Sequence, residues 1–191
     1  AREQPAVVIN CAAWTDVDGC QSNPEKALLV NGSAVGLLAQ EASDAGAHLV
    51  QISTDYVFDG TKKEPYTETD LPNPLSVYGK SKLLGESLAG PKALIVRTSW
   101  LMGPDAPNML RTILALLDGD GDLNFVDDQV GCPTFVDDLA AGLLCLVEAH
   151  ATGHFHLTNA DPISWFGFAQ EVAQASGHDP KRVLPVSASG L

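Results

Sequence analysis

The sequence predicts an α/β fold, a parallel sheet covered by helices on both faces. Three observations predict it. Short apolar runs of strand character alternate with longer stretches of helical pattern along most of the chain. Those runs are nearly continuous in hydrophobic residues, as strands buried on both faces are. The segments that follow three of them are Asn10-Cys11-Ala12-Ala13-Trp14-Thr15, Ser53-Thr54-Asp55-Tyr56 and Thr98-Ser99-Trp100. Each carries an aromatic, the second and third are dense in hydroxyls, and in such sheets ligands bind beyond the carboxyl ends of the strands.

The elements follow in order. Ala6-Val7-Val8-Ile9-Asn10 is the first strand. Ser22-Asn23-Pro24-Glu25 is a capping-box pattern with proline early in the first turn, and it opens an Ala- and Leu-rich helix to about residue 45. Gly46 ends that helix, and Leu49-Val50-Gln51-Ile52 is the next strand. Residues 59–73 form a polar loop long enough to be either functional or disordered. A helix is expected from Tyr78 to about residue 89, then a buried strand, Ala93-Leu94-Ile95-Val96-Arg97. Helices are expected near 108–117, 136–149 and 164–176. Asn124-Phe125-Val126, His154-Phe155-His156-Leu157 and Val183-Leu184 supply the remaining extended pieces. There are no internal repeats or low-complexity tracts.

The 191 residues suit one domain, or one domain with a small lobe. Acidic residues number 24 against 11 basic ones, a net charge of −13. That balance argues against a broad nucleic-acid or anionic-membrane surface, because both need a positive field. No apolar run approaches the roughly 18 residues that span a bilayer. Ala1-Arg2-Glu3-Gln4-Pro5 lacks the charged-then-apolar layout of a signal peptide. The four cysteines, Cys11, Cys20, Cys132 and Cys145, show no C-x-x-C pair, which suits reduced thiols in the cytoplasm. His154 and His156 share one face of a strand, but with no H-E-x-x-H and no carboxylate at ligand spacing no metal site is expected. A cytoplasmic enzyme or binding protein is the expectation that survives.

Tyr78-Gly79-Lys80-Ser81-Lys82 carries the chemistry. On a helix its phenol and amine lie on the same face, with Cβ atoms about 5–6 Å apart. A nearby ammonium lowers a tyrosine pKa, so this pair is expected to bring Tyr78 toward the range where it exchanges protons with a substrate oxygen. Thr54, at a strand end, would orient that oxygen while Lys82 supports the phenolate. The same residues have plainer readings. Tyr and Lys are common on solvated helix faces, and Thr54 with Asp55 could simply cap the start of a loop.

Taken together the motifs resemble the extended short-chain dehydrogenase/reductases, and within them the dTDP-4-dehydrorhamnose reductases and related nucleotide-sugar 4-ketoreductases. The resemblance is carried by residues 10–18, 53–60, 78–86, 97–100 and 128–134, in the family's order and approximate spacing. It implies a Rossmann-like doubly wound parallel sheet with a small C-terminal substrate lobe. A partial dinucleotide-binding domain would cover residues 1–125, and a partial substrate lobe, interleaved with it, residues 126–191. It further implies Thr54, Tyr78 and Lys82 as the catalytic set, with NADPH or NADH delivering hydride to a sugar 4-keto carbon. Lys82 would also hold the nicotinamide ribose, and Ala13, Trp14 and Thr15 would line the cofactor. Asp55 and Trp100 match positions that contact the sugar nucleotide, and Gln129 and Thr134 would help hold its nucleotide end. Trp100 could equally be core packing. Related 4,6-dehydratases place Glu after Thr-Asp; here Tyr56 stands there, which favours carbonyl reduction over elimination of water.

The sequence also departs from the family. No Gly-rich strand–turn–helix of the kind that cradles pyrophosphate precedes Ala6, so the family's N-terminal βαβ portion is expected to be missing. The family's segment beyond Leu191 is likewise expected to be missing. Asp118-Gly119-Asp120-Gly121-Asp122 has glycines, but its three acids would repel phosphate, and it reads as a solvated turn. Two expectations follow. One is a longer reductase, possible as a homo-oligomer, of which this is part; the other is a non-catalytic nucleotide-binding or regulatory subunit of the same fold.

Overall fold

The computed structural model describes residues 4–190. Residues 1–3 of the stretch read for a leader, and Leu191, lie outside the described residues. In chain order the elements are β1 (Val7–Asn10), α1 (Val17–Ser22), α2 (Pro24–Leu28), α3 (Ala34–Asp44), β2 (His48–Thr54), α4 (Val77–Ala89), β3 (Leu94–Thr98), β4 (Leu101–Met102) and α5 (Met109–Leu117). They continue with β5 (Leu123–Val126), β6 (Val130–Gly131), β7 (Thr134–Phe135), α6 (Val136–Glu148), β8 (Gly153–His156), β9 (Ile163–Ser164), α7 (Trp165–Ala175) and β10 (Val183–Val186). The chain divides into two compact units: residues through Thr98 with Leu143–Leu157, and Ser99–Gly142 with the residues from Thr158 onward.

The first unit is built on a four-stranded sheet in the order β1-β2-β3-β8, parallel throughout. Register and the two-residue period of a strand decide what each face carries. Val8 pairs with Leu49, Gln51 with Ile95, Ser53 with Arg97, and Ile95 and Arg97 with His154 and His156. Leu49 and Ile95 pack there with Val35 and Ala42 of α3 and with Ala89 and Ala93 at and beyond the end of α4, one apolar core. Toward the carboxyl end the same face turns polar, with Ser53 and Arg97 buried beside Glu86 of α4. The strands themselves are buried enough that Val50, Leu94 and Val96 are fully enclosed.

The helix expected from residue 24 to 45 forms, but with two differences. Its N-cap is Asn23 rather than Ser22: the Asn23 side chain accepts from Lys26 N, and Pro24 takes the first helical position, where a missing N–H costs nothing. Between α2 and α3 the helix widens into a π turn, Leu29–Ser33, which points Asn31 inward. The short α1 was not foreseen; Asp16 caps it by accepting from Gly19 N. The loop over residues 59–73 is ordered by its own acids. Asp59 accepts from Thr61, Tyr66 and Asn73, and Asp70 from Lys62 and Thr67. Both carboxyls are held below the usual range by those donors, Asp70 at about 2.

The second unit has its own core, where Ile113 and Leu117 of α5 meet Ala169, Val172 and Ala173 of α7 and Val183 of β10. β10 and β5 form a parallel pair, as do β4 and β7, whereas β6 and β9 are antiparallel. The acidic turn at 118–122 is filled from within. Its carbonyls at Gly119 and Gly121, with that of Leu117, accept from the Arg182 guanidinium, so the turn receives a cation at the α5 C-terminus.

Candidate active site

The Thr54-Asp55-Tyr56 segment leaves the carboxyl end of β2 in a single 3-10 turn. Thr54 caps that turn, its Oγ1 accepting from Tyr56 N at 3.2 Å and donating to Asp55 Oδ1 at 3.0 Å. The plain capping role is therefore real. It leaves the buried Thr54 hydroxyl fixed in position at the strand end, where its influence on the Tyr78 phenol is to favour the ionised form.

Two local features bring Tyr78 there. Ser76 caps α4 by accepting from Gly79 N at 3.0 Å, which fixes where the helix begins. Gly79 then lets the first turn of α4 lie directly against the Tyr56 carbonyl. A Cβ at this position would sit 2.2 Å from Tyr56 O, so only glycine permits the approach. The Tyr56 and Tyr78 rings meet edge to face, 5.5 Å between centroids.

One turn further on, Lys82 is buried, and its Nζ donates to the Ile52 carbonyl at 2.7 Å. Here the structure corrects the sequence expectation about Tyr78. Its phenol is pushed up, to about 12, and burial is the main cause. Thr54 opposes the shift, while Asp55 and Tyr56 add to it. Burial also dominates Lys82 and brings its amine down to about 8, against the pull of Glu86 and Cys11. Desolvation penalises the charged form of each group, and the Lys82 amine gives one of its N–H groups to a strand carbonyl rather than to the phenol. Burial raises Asp55 as well. The resting arrangement is a neutral phenol above a mostly cationic amine.

The segment Ala13-Trp14-Thr15 is held by Asn31, a residue that was not singled out in the sequence. Its amide accepts from Trp14 N at 2.8 Å and donates to Trp14 O at 2.9 Å and to Ser81 Oγ at 3.0 Å. One buried side chain thus ties the Trp14 backbone to α4 at the residue immediately before Lys82. Lys26 Nζ lies 3.9 Å from the centroid of the Trp14 ring. Ala13 and Trp14 are half-buried, and Thr15 is exposed.

The remaining candidate residues belong to the second unit. Trp100 is a non-glycine residue in the left-handed region, at φ 46°, a conformation that must be held by its surroundings. Its ring is stacked on Trp165 at 3.4 Å and 7°, and a Cβ on Gly131 would come within 2.6 Å of it. Trp165 was not anticipated; at the start of a helix it carries no signal of its own. Thr134 is buried, receives no solvent, and donates Oγ1 to Cys132 O while its N–H donates to Trp100 O. Gln129 is exposed and makes no hydrogen bond among the described residues. No group of three potential metal ligands occurs among the described residues.

A parallel sheet with a Tyr-x-x-x-Lys helix docked at the carboxyl end of a strand defines a Rossmann-like α/β protein of the short-chain dehydrogenase/reductase class. The RmlD substrate binding domain family matches residues 1–191, and the chain belongs to it. A dTDP-4-dehydrorhamnose reductase of Mycobacterium tuberculosis is 44% identical over 192 residues, covering 96% of this chain. The chain spans 63% of that relative's length. The crystal structure of a dTDP-4-dehydrorhamnose reductase from Clostridium acetobutylicum superposes with a TM-score of 0.95 at 44% identity, over 99% of this chain and 68% of that one. A Bacillus anthracis dTDP-4-dehydrorhamnose reductase, solved in complex with NADP, gives 0.93 at 36% identity over 97% and 67%.

Proposed function

We propose that the protein carrying this chain reduces the 4-keto group of a nucleotide-activated 6-deoxy sugar such as dTDP-4-dehydrorhamnose, using NADPH or NADH. The observation that carries this reading is the buried Tyr78 phenol on the helix that also bears the buried Lys82, docked at the strand end where Thr54 is buried. Membership of the reductase family supplies the substrate class.

The residues present fit the nicotinamide-ribose half of the cofactor. Lys82 Nζ uses one N–H on Ile52 O, and an ammonium has three, so two remain for ribose hydroxyls. Ala13, Trp14 and Thr15 would line the same part of the cofactor, braced through Asn31. The bound nicotinamide would supply hydride to the keto carbon. Among the described residues there is no Gly-rich strand–turn–helix to hold the pyrophosphate, and the glycine-bearing acidic turn at 118–122 is occupied by Arg182.

In this reading the chain's own work is proton supply and orientation. Tyr78 would donate to the substrate carbonyl oxygen, and Thr54 would join it by turning its single O–H from Asp55 to that oxygen, polarising it. As negative charge builds on that oxygen, the Tyr78 O–H bond breaks and its proton moves to the new alkoxide. The Lys82 cation stabilises the phenolate left behind. A high phenol pKa suits a donor, since Tyr78 stays protonated until the more basic alkoxide forms. Tyr56 stands where a second carboxylate would be, so Asp55 lacks the partner acid that water elimination uses. Asp55, Trp100, Gln129 and Thr134 would contact the sugar nucleotide. Tyr78→Phe tests the reading. Turnover of a dTDP-4-keto-6-deoxy sugar should drop by about 10²–10⁴-fold while binding of NADPH persists. Unchanged turnover would overturn the role of Tyr78, and binding without turnover in the parent would favour a non-catalytic subunit.

A further inference from the structure

A buried polar cluster in the first unit lies just outside the residues assigned above. Glu86 follows Lys82 by one helical turn and is 2% exposed by side chain. Its Oε1 accepts from Ser53 Oγ at 2.5 Å and from Arg97 Nε at 3.0 Å, and its Oε2 accepts from Arg97 Nη2 at 2.7 Å. His154 Nε2 lies 3.4 Å from the same Oε2. Four elements therefore converge on one carboxylate: α4, which carries Tyr78 and Lys82; β2, through the residue immediately before Thr54; β3, through Arg97; and β8, through His154.

We infer that Glu86 is a positioning residue for the proton-transfer set, its carboxylate clamping the Tyr78–Lys82 helix to β2 and β3 and placing a negative charge one turn beyond Lys82. The inference rests on the function proposed for Thr54, Tyr78 and Lys82. Packing alone would not need this arrangement, because a buried ion pair is often matched or bettered in stability by apolar residues of similar volume. What the ion pair adds is direction. The bidentate Arg97 fork and the short Ser53 bond fix the carboxylate in one orientation. They also fix the rotation of α4 relative to the strand end at Thr54.

The charges around Lys82 make the second role testable. Glu86 attracts its cation from α4, and Cys11 does so from the segment after β1. Tyr78 on the same helix is neutral. From β3 and β8, Arg97 and His154 face Glu86, and His156 Nε2 lies 3.5 Å from Arg97 Nη1. Burial works against the cation, so removing the Glu86 charge takes away the larger of its two electrostatic supports.

The experiment follows the Lys82 ¹³Cε resonance with pH in protein labelled at lysine, assigned by its loss in Lys82→Met. In Glu86→Gln the Lys82 midpoint should fall by about half a pH unit or more from the parent's. If Glu86 were only a packing residue, loosening would admit water and move the midpoint up toward the ordinary lysine value of about 10.4. A rise, or no change, overturns the inference. Should the unpaired Arg97 prevent Glu86→Gln from folding, the double variant E86Q/R97M removes both charges and must still show a lowered midpoint. Turnover gives a separate readout. The alkaline limb of kcat should move to lower pH with the resonance, while KM changes less than about twofold. If Tyr78→Phe retained full turnover the proposed function would fail, yet the resonance would still decide what Glu86 does.

Discussion

The Lys82 amine is anchored to the Ile52 carbonyl at 2.7 Å, not to the Tyr78 phenol one turn before it. A buried amine tied to a strand carbonyl has a fixed position and two free N–H donors, which is what orienting a ribose requires. It also has a depressed pKa, and that sets a pH dependence. At pH 7 most of the amine is charged; as pH rises through about 8 the cation is lost. Turnover in the proposed reduction should therefore be half-lost near pH 8 and fall by about tenfold for each further unit. Tyr78, near 12, remains a proton donor across this range and contributes no limb of its own. A kcat/KM profile that stays flat from pH 7 to 10 would show that the Lys82 charge is not needed.

Gly79 is where the helix and the strand end meet. In an exposed helix interior, Gly→Ala stabilises by about 1 kcal/mol. Here the added Cβ would press on the Tyr56 carbonyl, a backbone atom with no easy escape. Gly79→Ala should therefore destabilise the chain, by about 1–3 kcal/mol. The shift must also move Tyr78 away from Thr54, so kcat should fall by more than about tenfold. Denaturant titration gives the first quantity and steady-state kinetics the second. A gain in stability, or loss of stability without loss of kcat, contradicts this account of the contact.

Much of this site was legible in the sequence, and the rest was hidden for identifiable reasons. The i, i+4 spacing of Tyr78 and Lys82 placed both on one helix face, and the apolar runs gave β1, β2, β3 and β8 within a residue or two. Spacing cannot report burial depth, however, and depth reversed the expected direction for Tyr78. Asn31 was invisible because it works through a π turn, which has no simple sequence signature. Glu86 was read only as part of a motif, since its partners Ser53 and Arg97 lie 33 and 11 residues away. The Asp118–Asp122 stretch reads in the sequence as a solvated turn whose acids would repel phosphate. Its actual partner, Arg182, could be found only once β10 was placed beside β5.

The stacked Trp100 and Trp165 rings offer a spectroscopic handle. Two indoles stacked at 3.4 Å and nearly parallel should couple and give a distinct near-ultraviolet circular dichroism signal. Trp165→Leu should abolish that signal, as should Trp100→Leu. Without its stacking partner the strained Trp100 backbone loses support worth about 0.5–1.5 kcal/mol. If Trp100 contacts the sugar nucleotide as proposed, Trp165→Leu should raise the KM for substrate several-fold. The KM for NADPH should not change. Loss of the signal with unchanged substrate KM would assign the pair to packing alone.

Burial of Tyr78 and Lys82 also predicts how stability varies in alkali, with opposite signs. Lys82 has its folded pKa lowered to about 8 from 10.5, so between those values the unfolded chain binds more protons and stability rises with pH. The penalty of confining the cation is full below pH 8 and relieved by about pH 10.5, worth up to about 3 kcal/mol. Tyr78 has its folded pKa raised to about 12 from 10, so from pH 10 to 12 the folded chain holds the extra proton and stability falls. Denaturation midpoints of the parent and of Lys82→Met, measured from pH 7 to 12, separate these contributions from the general repulsion of an acidic chain. The parent should gain on the variant between pH 8 and 10.5, and both should lose stability above pH 10. Parallel curves through the first window would mean that the Lys82 amine is not desolvated in the folded chain.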